Sequence, residues 1–226
     1  MNKTLRTYWN RIRKPLILTG VILGVGAVSY AVGSFHPNKW KVANIVSDAK
    51  AHFNKEWKAF GFQQPSIEYT NNFEFITGVG RCVDFLNMTI PHEKRVPKLI
   101  IIAMAVLETG YGQSRFATEG NNLFGYRTWD PKEPQMKPQE LPDAEFGVKK
   151  YRTKCDSVKD MIRNINEYHV YDDYRNERAN QHKTGVINLD KQIDLLSEWS
   201  TNPEYTKLVK IKVAKVKSIL EKKLAN

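Results

Sequence analysis

The chain has 226 residues, 41% hydrophobic and 26% charged, which excludes a wholly disordered protein and allows one ordinary domain plus an extra segment without metal or disulfide staples. The net charge of +11 points to nucleic acid only until it is located: residues 1–14 carry five basic side chains and no acid, residues 207–226 carry seven lysines and Glu221, and the body between them sums to zero. A neutral body with two basic ends does not fit a nucleic-acid partner, and without CxxC or HExxH spacing the cysteines and histidines suggest neither a metal nor a cofactor.

Residues 15–35, PLILTGVILGVGAVSYAVGSF, contain no charge. As a helix they would extend about 31 Å, close to the hydrocarbon thickness of a bilayer. The basic residues just before them would keep the N-terminus in the cytoplasm and place residues 36–226 outside. An uncleaved transmembrane anchor is the preferred reading. A cleaved signal ending near Ser29-Tyr30-Ala31 is the alternative, with a secreted product, and a buried core helix is the third reading. Gly20 and Gly24 form a weak GxxxG hint of helix pairing.

Beyond it, Val42, Ile45, Val46, Ala49, Phe53 and Trp57 recur at helical spacing, which predicts a helix or stalk ending near Gly61 and Pro65. Residues 72–88 predict a second helix, interrupted at Gly78 and Gly80. TIPHEKRVP reads as a loop, and Pro97 suits the first turn of the next helix. That helix has a broad apolar face from Leu99 to Leu107 and is stopped by Gly110 and Gly112, which leaves Glu108 in its last turn.

A carboxylate at the negative end of a helix dipole, partly buried, has a raised pKa and suits a general acid. The plainer reading of such a glutamate is a solvated surface charge. Residues 130–145, with four prolines and five acids, predict a loop or short edge hairpin, and FGVKKYR a strand. A helix follows from Asp156 or Ser157 as N-cap, with Val158, Met161, Ile162 and Ile165 on one face. HVYDDYRNERANQ continues helically after a bend, and NLDKQIDLLSEWS is a helix capped by Asn188 or Asp190. The last helix turns Val209, Val213, Val216 and Leu220 inward and its lysines outward. The fold class is mainly α with a small β element. Cys82 and Cys155 read most simply as two buried free thiols, a disulfide being the alternative in an oxidising compartment.

The stretch AMAVLETGYGQSRFATEGNNLFGYRTW, residues 103–129, resembles the signature of the peptidoglycan glucosaminidase superfamily: a hydrophobic helix ending Glu-Ser-Gly-Trp-Gly, a polar stretch, then Asn-Leu-Phe-Gly. Within that superfamily it is most similar to the bacterial Bax-type branch. SVKDMIRNINEYHVYDDYR and INLDKQIDLLSEWSTNPEYTKLV extend the resemblance over about residues 90–211. The resemblance implies a lysozyme-like α domain with a small β-hairpin lobe, an endo-β-N-acetylglucosaminidase that hydrolyses β-1,4 bonds of peptidoglycan strands beside N-acetylglucosamine. It assigns Glu108 as the general acid. Thr109 stands where the family has Ser, and Tyr111 where it has Trp.

The residues supply what that chemistry needs. Tyr111, Asn121, Asn122, Tyr126 and Trp129 offer aromatic faces and amides close to Glu108, whereas Leu123 and Phe124 suit the core and Gly125 a tight backbone. Glycosidases generally need a second carboxylate across the bond. The resemblance places it before the YRTKCDS strand, among Glu133, Glu140, Asp143 and Glu145; Glu145 is preferred and Glu140 next, and the substrate's 2-acetamido group is a substitute for either. Tyr171 matches a tyrosine lining the family's cleft, with Tyr151 a weaker candidate. The expected organisation is a basic tail (residues 1–14), an anchor or signal (15–35), a stalk with N-terminal helices (36–89) and a glucosaminidase domain (90–226). The rival readings are a lytic transglycosylase that uses the same glutamate and a non-catalytic wall-binding or lysis-accessory protein.

Overall fold

The computed structural model describes residues 3–35, 38–59 and 62–224. The chain divides between residues 63 and 64 into two units. The first holds α1 (Lys3–Phe35) and α2 (Lys39–Ala59). In α1, Leu16, Ile17, Leu18, Val21, Ile22 and Leu23 are exposed. Among the described residues no helix is long and apolar enough to cross a membrane, so the transmembrane helix expected over residues 15–35 is not shown. Gly20, Gly24 and Gly26 dilute that stretch and Arg13 and Lys14 border it, while the side chains of residues 31–35 lie outside the described residues. In α2 the stripe residues Val42, Ile45 and Val46 are exposed. The side chains of Phe53 and Trp57, and the stop expected at Gly61, lie outside the described residues.

The second unit is mainly helical with one small sheet. It contains α3 (Asn72–Asn87), α4 (Lys98–Thr109), α5 (Arg115–Gly120), α6 (Lys154–Glu167), α7 (Asp172–Thr184), α8 (Leu189–Asp194) and α9 (Tyr205–Leu224). This unit begins at residue 64 and so includes α3.

Its centre is α4. Residues 100–106, Ile-Ile-Ile-Ala-Met-Ala-Val, are buried all the way round, as a helix without a polar face must be. Helices α3 and α9 pack on it, and α6 packs on α3. The α9 stripe is as expected: Val209, Val213 and Val216 are buried and Leu220 is partly so. Helix α3 is not interrupted at its glycines. Gly78 is buried against Ile67, whose Cγ2 would lie 3.0 Å from an added Cβ, so this glycine serves close packing rather than a break. The cap of α3 is reciprocal: Asn71 Oδ1 accepts from the Glu74 amide at 2.9 Å, and the Glu74 carboxylate reaches back to the Thr70 amide at 2.6 Å.

Helix α6 starts earlier than its sequence suggests. Thr153 Oγ1 accepts from the Asp156 amide at 3.0 Å and is the N-cap, in place of Asp156 or Ser157. Ser157 is buried and its hydroxyl accepts from the Leu123 amide at 3.2 Å. The segment 189–199 is shorter in helix than expected: α8, capped by Asn188, ends at Asp194, and Trp199 sits in a separate 3-10 turn, Ser197–Trp199.

The β element has three very short strands, β1 (Arg127–Thr128), β2 (Gln135–Met136) and β3 (Gly147–Lys149), antiparallel in the order β1-β3-β2. Arg127 pairs with Val148 and Gln135 with Lys149.

Cys82 and Cys155 are fully buried, as expected, but they are not free thiols. A disulfide joins them, with Cα atoms 5.7 Å apart, and ties α3 to the first turn of α6 across 73 residues of sequence. The sequence could not supply that proximity, which is set by the packing of α3 on α6. Reducing this bond, or replacing both cysteines by alanine, should cost about 2–4 kcal/mol of stability by freeing a long loop in the unfolded chain. Urea unfolding with and without reductant measures it.

Candidate active site

The end of α4 is a chain of unusual backbone positions. Gly110 closes the helix in the left-handed region at φ 58°. Tyr111 (φ 64°) and Gly112 (φ 82°) continue in the same region. Gly112 can be nothing larger, because Tyr69 and Phe75 close over the place where a Cβ would stand. Thr109 fastens the turn: its hydroxyl donates to Ala105 O at 2.6 Å and accepts from the Gly112 amide at 2.7 Å. The hydroxyl that replaces the family's serine therefore has a structural task. Tyr111 pays for its left-handed position with packing, its ring lying edge-on to Phe75 at 6.5 Å; its hydroxyl is buried with no hydrogen-bond partner among the described residues.

Glu108 stands two residues before Gly110 and is half-buried. Trp199 Nε1 donates to its Oε1 at 3.1 Å. The hydroxyl of Tyr205, at the start of α9, lies near the same carboxylate but outside full hydrogen-bond geometry. Burial raises the Glu108 pKa above the usual carboxylate range, and Tyr205 and Trp199 pull partly against it. Tyr205 is itself pushed up, first by burial and then by the Glu108 charge, so it stays a neutral phenol.

Trp199 is held in turn by Tyr126, ring edge to ring face at 5.1 Å and 80°. The Tyr126 hydroxyl accepts from Asn164 Nδ2 at 2.9 Å and donates to the buried Met161 Sδ at 3.4 Å. An indole N–H can only donate. It therefore engages Oε1 of Glu108 as an acceptor and leaves Oε2 without a bond from Trp199.

The other expected site residues are distributed differently. Asn122 is buried, and its amide is fully used: Nδ2 donates to Tyr126 O and Lys149 O, and Oδ1 accepts from the amides of Phe124 and Tyr126. It is a knot between the sheet and the turn, with nothing left for a sugar. Tyr171 is only 2% exposed and packs in the core, its pKa pushed up to about 12 chiefly by burial. Tyr151 gives its hydroxyl to Asp160 at 2.7 Å. Trp129 is 65% exposed and leans on Phe146 at 5.9 Å, a ring face open to solvent. Among the proposed acids, Glu133 is bound to Lys149 at 3.4 Å. Glu140, Asp143 and Glu145 are exposed, and no polar contact among the described residues joins Glu145 to Glu108. Of the expected set, the fold brings Glu108 and Tyr126 together, through Trp199. Trp199 and Tyr205 were not singled out from the sequence; the one available signal was two aromatics flanking a short Ser-Thr-Asn-Pro turn.

Residues 88–218 match the glucosaminidase family, described as mannosyl-glycoprotein endo-beta-N-acetylglucosaminidase. The chain belongs to the glucosaminidase family. Its likeness there is to the Bax-type branch: Protein bax of Escherichia coli (strain K12) is 27% identical over 107 residues, 47% of this chain and 37% of that protein. The chain thus spans well under half of that relative's length. The catalytic domain of the autolysin Auto from Listeria monocytogenes has the same fold, with a TM-score of 0.51 at 18% identity over 73% of this chain and 93% of that domain. In this glucosaminidase the matched region contains Glu108, Tyr126, Trp199 and Tyr205.

Two outcomes follow from the Glu108 environment. Trp199→Phe keeps a ring but removes the donor that favours the carboxylate, so the Glu108 pKa should rise further; a carbon-detected NMR titration of that carboxyl reads it, and an unmoved or lowered pKa rejects the bond. The folded pKa of Glu108 lies above its unfolded value, so stability is greatest below the unfolded pKa and is lost as pH rises through the folded one. Glu108→Gln should therefore melt above wild type at neutral and alkaline pH, with the gap closing on acidification.

Proposed function

We propose that this glucosaminidase is a peptidoglycan hydrolase that cleaves β-1,4 bonds next to N-acetylglucosamine, with Glu108 as general acid. The observation that carries the reading is the Glu108 carboxyl: half-buried, raised in pKa, and pinned by Trp199 through one oxygen only. A protonated carboxyl with one oxygen fixed delivers its proton from the other to the leaving glycosidic oxygen. Family membership and the autolysin fold support the same reaction class.

For the second carboxylate, Glu145 is the better candidate than Glu133. Glu133 is tied to Lys149, whereas Glu145 is exposed beside Phe146, the ring on which Trp129 rests, and has no ion pair among the described residues. Trp129 is the ring most open to stack on a sugar. We also place the working domain outside the cytoplasm. The disulfide supports this, as does the basic-then-uncharged order of residues 1–35, which is that of an export segment.

Glu108→Gln should lose about 10²- to 10⁴-fold in turnover of purified peptidoglycan. A variant that clears it as well as wild type would mean that Glu108 is not the acid. Mass spectrometry of the products separates hydrolysis from transglycosylation: new reducing N-acetylglucosamine ends are expected, and anhydro-muramyl ends would overturn the assignment. Glu145→Gln should reduce turnover to a similar degree; wild-type turnover would leave the 2-acetamido group as the internal nucleophile.

A further inference from the structure

Between the sheet and α6 lies a cleft of about 330 Å³, whose walls include Tyr126, Arg127, Lys149, Asp160, Arg163 and Glu167. Its lining is charged, which a groove for neutral sugars does not require. Most of that charge is already matched. Asp160 accepts from the Tyr151 hydroxyl at 2.7 Å and from Arg163 Nε at 3.0 Å, and it pairs with Lys149 at 3.5 Å. Lys149 has Glu133 as a second partner at 3.4 Å. Arg127 differs: its guanidinium lies 4.4 Å over the Phe146 ring and has no acidic partner among the described residues. A guanidinium laid on an aromatic face keeps its N–H edge free and is held ready for a planar, two-pronged acceptor.

The cleft adjoins the acid site through a single residue. Tyr126 forms part of its wall, and the same ring holds Trp199, which bonds Glu108. A glycan strand running from Glu108 past Tyr126 would carry the substituent of the next sugar toward this cleft. On a peptidoglycan strand the sugars are neutral, and the charges are on the peptide stems.

We propose that this cleft is a subsite for the peptide carried on the glycan strand, with Arg127 receiving a peptide carboxylate. The proposal rests on the hydrolase reading above, and its test separates the two. Wild-type protein and Arg127→Ala are compared on peptidoglycan strands with intact stems and on the same strands stripped of peptide, with the freed lactyl carboxylates capped as amides. The ratio of kcat/KM on stemmed over stripped strands should fall about tenfold in Arg127→Ala, the size expected for one charge-assisted pair. Arg127→Lys, which keeps the charge but not the fork, should recover part of that ratio. An equal loss on both strands, or no loss, overturns the subsite.

If wild type cleaves neither strand, the hydrolase reading fails and binding decides the subsite alone. A muramyl peptide with a free terminal carboxylate is titrated into the full-length Glu108→Gln protein and followed by the Arg127 Nε–H signal in NMR. The expected result is saturable binding that weakens about tenfold when the carboxylate is capped as an amide. Equal binding of capped and uncapped peptide, or no shift of that signal, overturns the subsite whatever the catalytic outcome.

Discussion

Helix α4 has no polar face, so everything else in the second unit is arranged around the need to enclose it. Helices α3 and α9 cover it, and the enclosure ends where the helix does, at the Gly110–Gly112 turn. Glu108 is the first charged side chain that α4 presents after Lys98, and it emerges at the limit of that cover. The lead-in to α9 crosses the same point and brings Trp199 and Tyr205 against the carboxyl. The packing that buries the centre and the placement of Glu108 are therefore one event.

The chemistry follows from how complete that enclosure is. A fully buried carboxyl without donors would remain neutral through the whole working range, and a solvated one would be ionised at neutral pH. Glu108 lies between these limits, raised by burial and restrained by Tyr205 and Trp199. The donor that restrains it also orients it, since the indole can only give a hydrogen bond. Tyr126 extends this arrangement into the sheet lobe, and Asn122 locks that lobe to the turn by filling every hydrogen-bonding position of its amide with backbone. The cost of re-forming Asn122 as a sugar ligand would be the loss of that lock.

The disulfide has a comparable position in the scaffold. It joins α3, which covers α4, to α6, which carries Met161 and Asn164 under Tyr126. It is thus a covalent tie between the cover of the central helix and the support of the aromatic pair.

Local order is where the sequence alone was sufficient. An uninterrupted apolar segment with two glycines after Glu108 specified a buried helix, its end and the acid in its last turn; the valine spacing of α9 specified its inner face. The ordered Glu-Gly-Gly and Asn-Leu-Phe-Gly pattern specified the family. Each of these depends on residues a few positions apart, where helical period and turn chemistry act directly. The sequence did not distinguish Gly78 as a packing contact from a break, Thr153 from Asp156 as a cap, or paired cysteines from free thiols. It also did not show that Asn122 and Tyr171 are buried. Above all it did not join Trp199 to Glu108, which stand 91 residues apart. Only tertiary packing sets which distant groups share a desolvated site, and that sharing decides whether a glutamate at a helix end is a surface charge or a half-buried, oriented carboxyl of raised pKa.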